Sequence, residues 1–239
     1  MSDYSENALE ILRQPEKTMQ WFIIPILLIV MYIVTTEIKQ KHYNILLGAA
    51  ALWGMDLFNE IWNSIAFHAS GFAPVWGTPV VGAGSTSLLI LIGYNIEISF
   101  MFLIMGITVC KMLPENKKSS WFKSKDNFIF KVLSKNSSVD KREKLLNAKF
   151  NNRVVYALVL TLLCVVVECF LNYSGLLTWE YTWWSREFPY LVYLIGYLPF
   201  FVVAFIVHDQ KRKNQLITLS IIFGVDIVLL VVFGSIGWM

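Results

Sequence analysis

Three runs of the sequence, residues 21–36, 156–170 and 216–233, contain at most one charged residue each. A helix needs about 20 apolar residues to cross the hydrocarbon core of a bilayer. Over the whole chain, 56% of residues are hydrophobic and 15% are charged, whereas an ordinary soluble domain carries about 25% charged residues. A soluble core of 239 residues cannot bury that much apolar surface. The sequence therefore argues against a water-soluble enzyme and predicts an all-helical membrane protein.

The apolar segments are numerous enough for a bundle of six transmembrane helices. A seventh crossing would form if part of the loop 68–85 re-enters the membrane. The polar segment 1–18 lacks the basic and short apolar regions of a secretory signal, so we expect the first apolar run to be retained. We therefore expect a single transmembrane domain over residues 1–239, with spans at residues 19–37, 44–67, 86–110, 154–173, 188–208 and 215–236.

The positive charges predict the orientation of this bundle. The loop 111–153 holds twelve basic and four acidic residues, a net charge of +8, and the rest of the chain carries −5. By the positive-inside rule this loop is cytoplasmic and both termini lie on the opposite side. The loop is expected to lie on anionic membrane lipid or to form a solvated tether, and no nucleic-acid binding is expected. The outer interface then gathers Trp76, Trp179, Trp183, Trp184 and Trp238.

Comparison of the chain with itself at an offset of 103 residues predicts an internal repeat. Leu91–Tyr94 recurs as Leu194–Tyr197, and Trp76 aligns with Trp179. A gap of about five residues in the outer loop also aligns Glu60 with Glu168. Both copies run in the same direction, which predicts a parallel repeat of units 44–110 and 154–208, followed by the last span 215–236.

Acidic residues inside the predicted spans are the main indication of function. Each costs about 2.5–3.5 kcal/mol at the centre of a membrane helix, and no Lys or Arg lies at a comparable depth. In the second span, polar residues at positions 56, 59, 60 and 63 fall on one helical face. These groups either line one cavity or hold the bundle together through hydrogen bonds between helices. The acids are Asp56, Glu60, Glu97, Glu168 and Asp226.

The order of these residues is similar to that of known membrane cyclases. The chain resembles carotenoid-type lycopene cyclases, in which one unit occurs twice. That unit has an acid in one span, a Trp in the outer loop, and then Gly-x-x-x-x-Glu and Phe in the returning span. Those cyclases have Pro-x-Glu-Glu where this chain has residues 95–98 and 198–201. The chain is also similar in length and hydropathy to the membrane-bound terpene cyclases of meroterpenoid pathways. Glu60 and Asp226 of this chain match the acids of those cyclases by position. The matching residues are Glu60, Trp76, Gly93, Glu97 and Phe100 in the first unit, and Glu168, Trp179, Gly196 and Phe205 in the second.

The resemblance implies an integral-membrane isoprenoid cyclase or isomerase that needs neither metal nor cofactor. A protonated carboxylic acid would protonate the lipophilic substrate, and aromatic rings would stabilise the carbocation. Two other functions remain open: a proton- or cation-coupled transporter of a small solute, and a non-catalytic assembly subunit. Substrate and oligomeric state are not predicted. The predicted catalytic residues are Glu60, Asp226, Glu97 and Glu168, and the predicted substrate-binding residues are Asp56, Asn59, Asn63, Trp62, Tyr94, Asn172, Trp179 and Tyr197.

Overall fold

Helices make up most of the protein. The computed structural model describes residues 1–15, 19–78, 88–119 and 149–239. Most of the predicted basic loop and part of the loop 68–85 lie outside the described residues. A π-helical turn, Val192–Tyr197, leads directly into the sixth helix. Within the described ranges the α-helices are α1 (Asp3–Ile11), α2 (Ile23–Lys39), α3 (Tyr43–Ser70), α4 (Ile96–Lys111), α5 (Asn152–Tyr173), α6 (Leu198–Asp209) and α7 (Arg212–Ser235).

Short polar residues and one glycine determine where several helices begin and end. The Asn95 side chain accepts a hydrogen bond from the Ile98 amide at 2.9 Å, which caps the start of α4. Asn151 caps α5 in the same way, through the Arg153 amide at 3.0 Å. Helix α3 ends at Gly71, which has a φ of 62°, the left-handed conformation that glycine adopts most readily.

Within the described ranges, six short strands form three antiparallel pairs. They are β1 (Trp76–Gly77) with β6 (Thr178–Trp179), β2 (Leu89–Leu91) with β3 (Tyr94–Asn95), and β4 (Lys118–Ser119) with β5 (Phe150–Asn151). The β2–β3 hairpin occupies residues that the sequence assigned to the start of the third span. This helix begins at Ile96 and not near residue 86, because backbone pairing and the Asn95 cap take the preceding segment into the hairpin.

Helix α3 lies at the centre of the bundle and contacts α4, α6 and α7. Small residues allow these neighbours to approach closely. A Cβ atom at Gly48 would lie 3.1 Å from the carbonyl oxygen of Ala204 on α6. One at Gly54 would lie 2.6 Å from the Ile222 side chain on α7. The side chains of α3 are thereby brought within reach of three other helices.

The two ends of the bundle differ in chemistry. We call the end formed by α1, residues 71–78, 88–95, 174–191 and 236–239 the aromatic end. There the Ser2 amide donates to the Phe72 carbonyl at 3.0 Å, and Trp238 stacks on His68 with ring centroids 5.8 Å apart. We call the end formed by residues 40–42, 112–119, 149–151 and 210–211 the basic end. Both termini therefore lie at the aromatic end.

The surface of the helices matches a lipid environment. Among the described residues, three helical segments are long and apolar enough to cross a membrane: Asn152–Tyr173, Val192–Asp209 and Arg212–Ser235. Large apolar side chains such as Leu163, Val166 and Val231 are more than half exposed on these helices. The chain thus has a mostly helical fold with three candidate spans, whereas the six- to seven-helix topology stays a prediction.

Candidate active site

Three of the predicted acids come together inside the bundle. Asp56 and Glu60 lie one turn apart on α3, with exposed fractions of 2% and 4%, and Glu168 approaches them from α5. The charge of Asp56 interacts with those of Glu60 and Glu168, and the charge of Glu60 interacts with that of Glu168. Tyr94 and Tyr197 also interact electrostatically with Asp56. We call Asp56, Glu60 and Glu168 the acid cluster.

In the first half of the chain, an asparagine positions a tryptophan against Glu60. The Asn63 Oδ1 atom accepts from the Val75 amide at 2.7 Å, and its Nδ2 atom donates to the Trp76 carbonyl at 2.8 Å. This fixes β1 above α3, so that the Trp76 indole Nε1 donates to Glu60 Oε1 at 2.8 Å. Gly93 lies against Asn63, the Trp76 carbonyl and Glu60, and its lack of a side chain leaves room for the hydrogen bond between Asn63 and Trp76.

In the second half of the chain, Glu168 also accepts a hydrogen bond from an aromatic side chain, but the donor differs. Asn172 Nδ2 donates to the Leu177 carbonyl at 3.1 Å, immediately before β6. The Tyr197 hydroxyl donates to Glu168 Oε1 at 2.6 Å. Trp76 and Trp179 are direct partners in the β1–β6 pair. Glu60 and Glu168, which the predicted repeat aligns, thus each accept a hydrogen bond from an aromatic side chain, and the repeat itself stays a prediction.

Aromatic rings surround the acid cluster. Trp76 stacks on Trp62 and contacts Trp184, with ring centroids 5.8 and 5.1 Å apart. Phe102 stacks on Tyr197 at 6.1 Å. Trp184 is only 3% exposed, so it packs inward, although its sequence indicated an interfacial position. Its neighbours at positions 181 and 183 are also aromatic, and local sequence does not distinguish the one that turns inward.

Several buried polar atoms around the cluster lack a hydrogen-bond partner among the described residues. They include one oxygen each of Asp56 and Glu60, and the indole nitrogens of Trp179 and Trp184. Buried polar groups in folded proteins nearly always have a partner, and each exception calls for an explanation. A bound ligand or water that accepts from the indoles and contacts the carboxyl groups would satisfy them.

The N-terminal helix covers this site at the aromatic end. The Tyr4 ring packs directly against Gly77, where a Cβ atom would lie 2.1 Å from the ring, and its hydroxyl donates to the Ile92 carbonyl at 2.9 Å. Burial and the nearby charge of Glu60 hold the pKa of the Tyr4 hydroxyl well above its usual range. Tyr4 therefore remains a neutral donor beside the cluster, a residue that sequence reasoning did not single out.

Asp226 occupies a separate place. On α7 it lies between Ile222, which packs on Gly54, and Leu229, which joins the apolar cluster around Ile61. Gly54 and Ile61 lie on a different face of α3 from the acid cluster. Asp226 is 1% exposed, and neither carboxyl oxygen hydrogen-bonds to a described residue. The structure thus does not bring this predicted catalytic residue into the cluster.

The other predicted residues have mainly structural contacts. Asn59 Nδ2 lies 3.5 Å from the carbonyl oxygens of both Ile195 and Gly196, in the π-helical turn. Trp62 is 38% exposed on the surface of α3. Glu97 lies in the first turn of α4, where a carboxylate interacts favourably with the helix dipole. Asn59 therefore contacts the backbone of the turn that carries Tyr197, and these two contacts are with carbonyl oxygens, not with a carboxyl group.

Sequence comparison decides the family. The sequence model of a family described as "Uncharacterized membrane protein family" matches residues 2–139 and 127–235. The chain belongs to this family. A relative in Archaeoglobus fulgidus, named "Uncharacterized protein", is 43% identical over 236 residues, which cover 98% of this chain and 97% of the relative. A shorter protein of the same name and organism is 44% identical over 52 residues, 21% of this chain and 93% of its own length.

No solved structure matches the chain. Membership of this membrane protein family confirms the prediction of a membrane protein. The resemblance to isoprenoid cyclases stays a prediction.

Proposed function

We propose that the protein is an integral-membrane enzyme that cyclises or isomerises an isoprenoid-type lipophile by acid–base chemistry. The observation that carries this proposal is the convergence of Asp56, Glu60 and Glu168 beside aromatic side chains. One carboxyl oxygen each of Asp56 and Glu60 has no hydrogen-bond partner among the described residues. Acids placed in a low-dielectric interior are costly, and they are usually functional.

Glu60 is the proposed general acid. Its Oε1 is held by Trp76, whereas Oε2 has no hydrogen-bond partner among the described residues and is the atom that would carry the proton. Transfer of this proton to an alkene carbon forms a C–H bond with the π electrons and leaves a carbocation. Faces of Trp76, Trp184 and Tyr197 would stabilise that cation.

Glu168 or Asp56 would complete the cycle. The carboxylate of Glu168 or Asp56 removes a proton from a carbon next to the cation. The electrons of the broken C–H bond form the new double bond. No electrons are gained or lost overall, and a proton passed within the cluster restores Glu60. The rings and carboxyl groups of the chain supply every group that this sequence of steps requires.

A proton-coupled carrier is the second candidate, and one observation favours it. The regular α-helix is interrupted before α6 by the π-helical turn. Pro199 cannot donate the backbone hydrogen bond of a regular helix. Interrupted helices next to buried acids are typical of substrate sites in transporters. In this alternative, Asp56, Glu60 and Glu168 would exchange protons with the two sides of the membrane.

The proposal also includes the six-span topology and its orientation. The basic end would face the cytoplasm, and α1 with the aromatic end would face the opposite side. The acid cluster would then lie in the half of the bundle next to the aromatic end.

Solvent deuterium tests the enzyme. The full chain in lipid nanodiscs is incubated in D2O with geranylgeraniol or squalene, and mass spectrometry follows new C–D bonds in the product. Protonation by Glu60 should incorporate deuterium from solvent. The Glu60→Gln variant should lower the rate about 100-fold or more, because the amide can still accept from Trp76 but cannot deliver a proton.

Glu187→Gln is the control, because Glu187 is an exposed acid at the aromatic end. The control should leave the rate unchanged. Full incorporation by Glu60→Gln would contradict the mechanism. Proton flux in proteoliposomes that disappears with the same substitution, without any product, would favour the carrier. Asp226→Asn tests the position that resembles the meroterpenoid cyclases. An unchanged rate is expected because Asp226 lies apart from the acid cluster, and a rate as low as that of Glu60→Gln would bring it into the mechanism.

A further inference from the structure

We propose that a cavity at the basic end is a binding site for a phosphate group. The cavity has a volume of about 370 Å³ and lies on the far side of the bundle from the acid cluster. It is built where α2 turns into α3 and where α6 turns into α7. The residues that line it include Lys41, His42, Tyr43, Asn44, His208 and Arg212.

Two fixed positive charges, those of Lys41 and Arg212, face this cavity. Neither has an acidic partner among the described residues. The Arg212 guanidinium lies over the Tyr43 ring, 4.6 Å from its centroid. A guanidinium carries five N–H donors, and no acidic side chain among the described residues pairs with those of Arg212. The ring therefore holds Arg212 in place while its donors remain available for an anion.

The acids nearest to the cavity are already neutralised. Glu37 accepts from Lys111 Nζ at 2.5 Å and contacts His42 Nδ1 at 2.8 Å. Asp209 pairs with Arg153 at 3.0 Å, and with His208 Nδ1 at 3.1 Å. The local field is therefore set by Lys41 and Arg212, and it is positive.

Backbone and amide donors add to these two cations. Helices α3 and α7 both begin at the cavity, and neither has a side chain that caps its first N–H groups. Such N-termini attract anions. Asn44 Oδ1 accepts from Gln215 Nε2 at 3.3 Å, which occupies the oxygen end of this amide and leaves its NH2 end as a donor.

Phosphate fits this set of groups because it offers several acceptor oxygens and a negative charge to donors that converge from different directions. Two sources supply this chemistry: a free phosphate or pyrophosphate ion, and the phosphate of an anionic lipid headgroup. The position at one end of the helix bundle is accessible to both.

Lys41→Gly is the decisive variant. Lys41 has a φ of 60°, a conformation that glycine adopts without a steric penalty. The variant therefore removes the charge without harming the fold. The melting temperature of the full chain is measured in neutral detergent with pyrophosphate, against sodium chloride at equal ionic strength, and in phosphatidylcholine nanodiscs with and without phosphatidylglycerol. Ligand at a hundredfold excess over Kd should raise Tm by about 5–10 °C.

The rise should be lost in Lys41→Gly and in Arg212→Gln. It should persist in Lys213→Gln, which removes a neighbouring charge that does not line the cavity. A rise with pyrophosphate in detergent identifies a free ligand, and a rise only with phosphatidylglycerol identifies a headgroup. No rise in either medium, or an equal loss in Lys213→Gln, would overturn the proposal. These readouts are independent of deuterium incorporation at the acid cluster.

Discussion

Two glycines at corresponding positions of the predicted repeat have different surroundings. A Cβ atom at Gly93 would lie 2.3 Å from Asn63 Nδ2 and 2.6 Å from the Trp76 carbonyl oxygen. A Cβ atom at Gly196 would meet nothing closer than the Trp184 ring at 3.6 Å, an ordinary contact. Only the first glycine is therefore required by the hydrogen bond that positions Trp76 on Glu60.

This difference predicts opposite results for the same substitution. Gly93→Ala should break the Asn63–Trp76 hydrogen bond and destabilise the protein by about 1–3 kcal/mol, with loss of any activity that depends on Glu60. Gly196→Ala should remain within about 0.5 kcal/mol of the parent. Thermal unfolding of both variants in the same nanodiscs measures the difference. Equal destabilisation would show that the Gly93 contact is not specific.

At the scale of the element, the π-helical turn before α6 depends on a side chain from another helix. Pro199 has no N–H group, so the Ile195 carbonyl lacks its usual helical donor. Asn59 Nδ2 of α3 lies 3.5 Å from this oxygen and from that of Gly196. Because Tyr197 ends the turn, the same geometry sets the direction from which its hydroxyl reaches Glu168.

A double-mutant cycle tests this dependence. Asn59→Ala should destabilise the protein by about 1–2 kcal/mol, since it leaves the Ile195 and Gly196 carbonyl oxygens without this donor. In a Pro199→Ala background the restored N–H can serve Ile195, so the same substitution should have a smaller effect. Unfolding midpoints of the four proteins give the coupling. Strictly additive effects would mean that Asn59 does not replace the missing donor.

At the scale of the whole molecule, the apolar runs predicted the long helices well. Predicted spans 44–67, 154–173 and 215–236 correspond to α3, α5 and α7, with small differences at their ends. Their length and composition leave few alternatives in a membrane. The third span began too early, because residues 88–95 are as apolar as a helix and only their backbone pairing and the Asn95 cap reveal a hairpin.

The site was predictable where the repeat marked it. Alignment of the two halves paired Glu60 with Glu168, which each accept from an aromatic side chain, and Trp76 with Trp179, which pair in the β1–β6 ladder. The donor on Glu168 is Tyr197 and not Trp179, so the alignment indicates the acids better than their donors. The inward packing of Trp184 and the separation of Asp226 from the cluster were not predictable. Both depend on which faces of distant helices meet, and the period of a single helix carries no information about that.

The distribution of charge between the two ends makes a prediction about the molecule in its membrane. Each end of the bundle has an exposed glutamate: Glu115 lies at the basic end, and Glu187, 65% exposed, lies at the aromatic end. The positive-inside rule places the end with the lysines in the cytoplasm. In a cysteine-free background, Glu187→Cys should react with an impermeant maleimide in intact cells. Glu115→Cys should react only after permeabilisation, because its end of the bundle faces inward.

Fusion reporters at the two termini should behave like position 187, since both termini lie at the aromatic end. Labelling of Glu115→Cys in intact cells would reverse the orientation, and it would place the acid cluster nearer the cytoplasm while leaving its geometry unchanged.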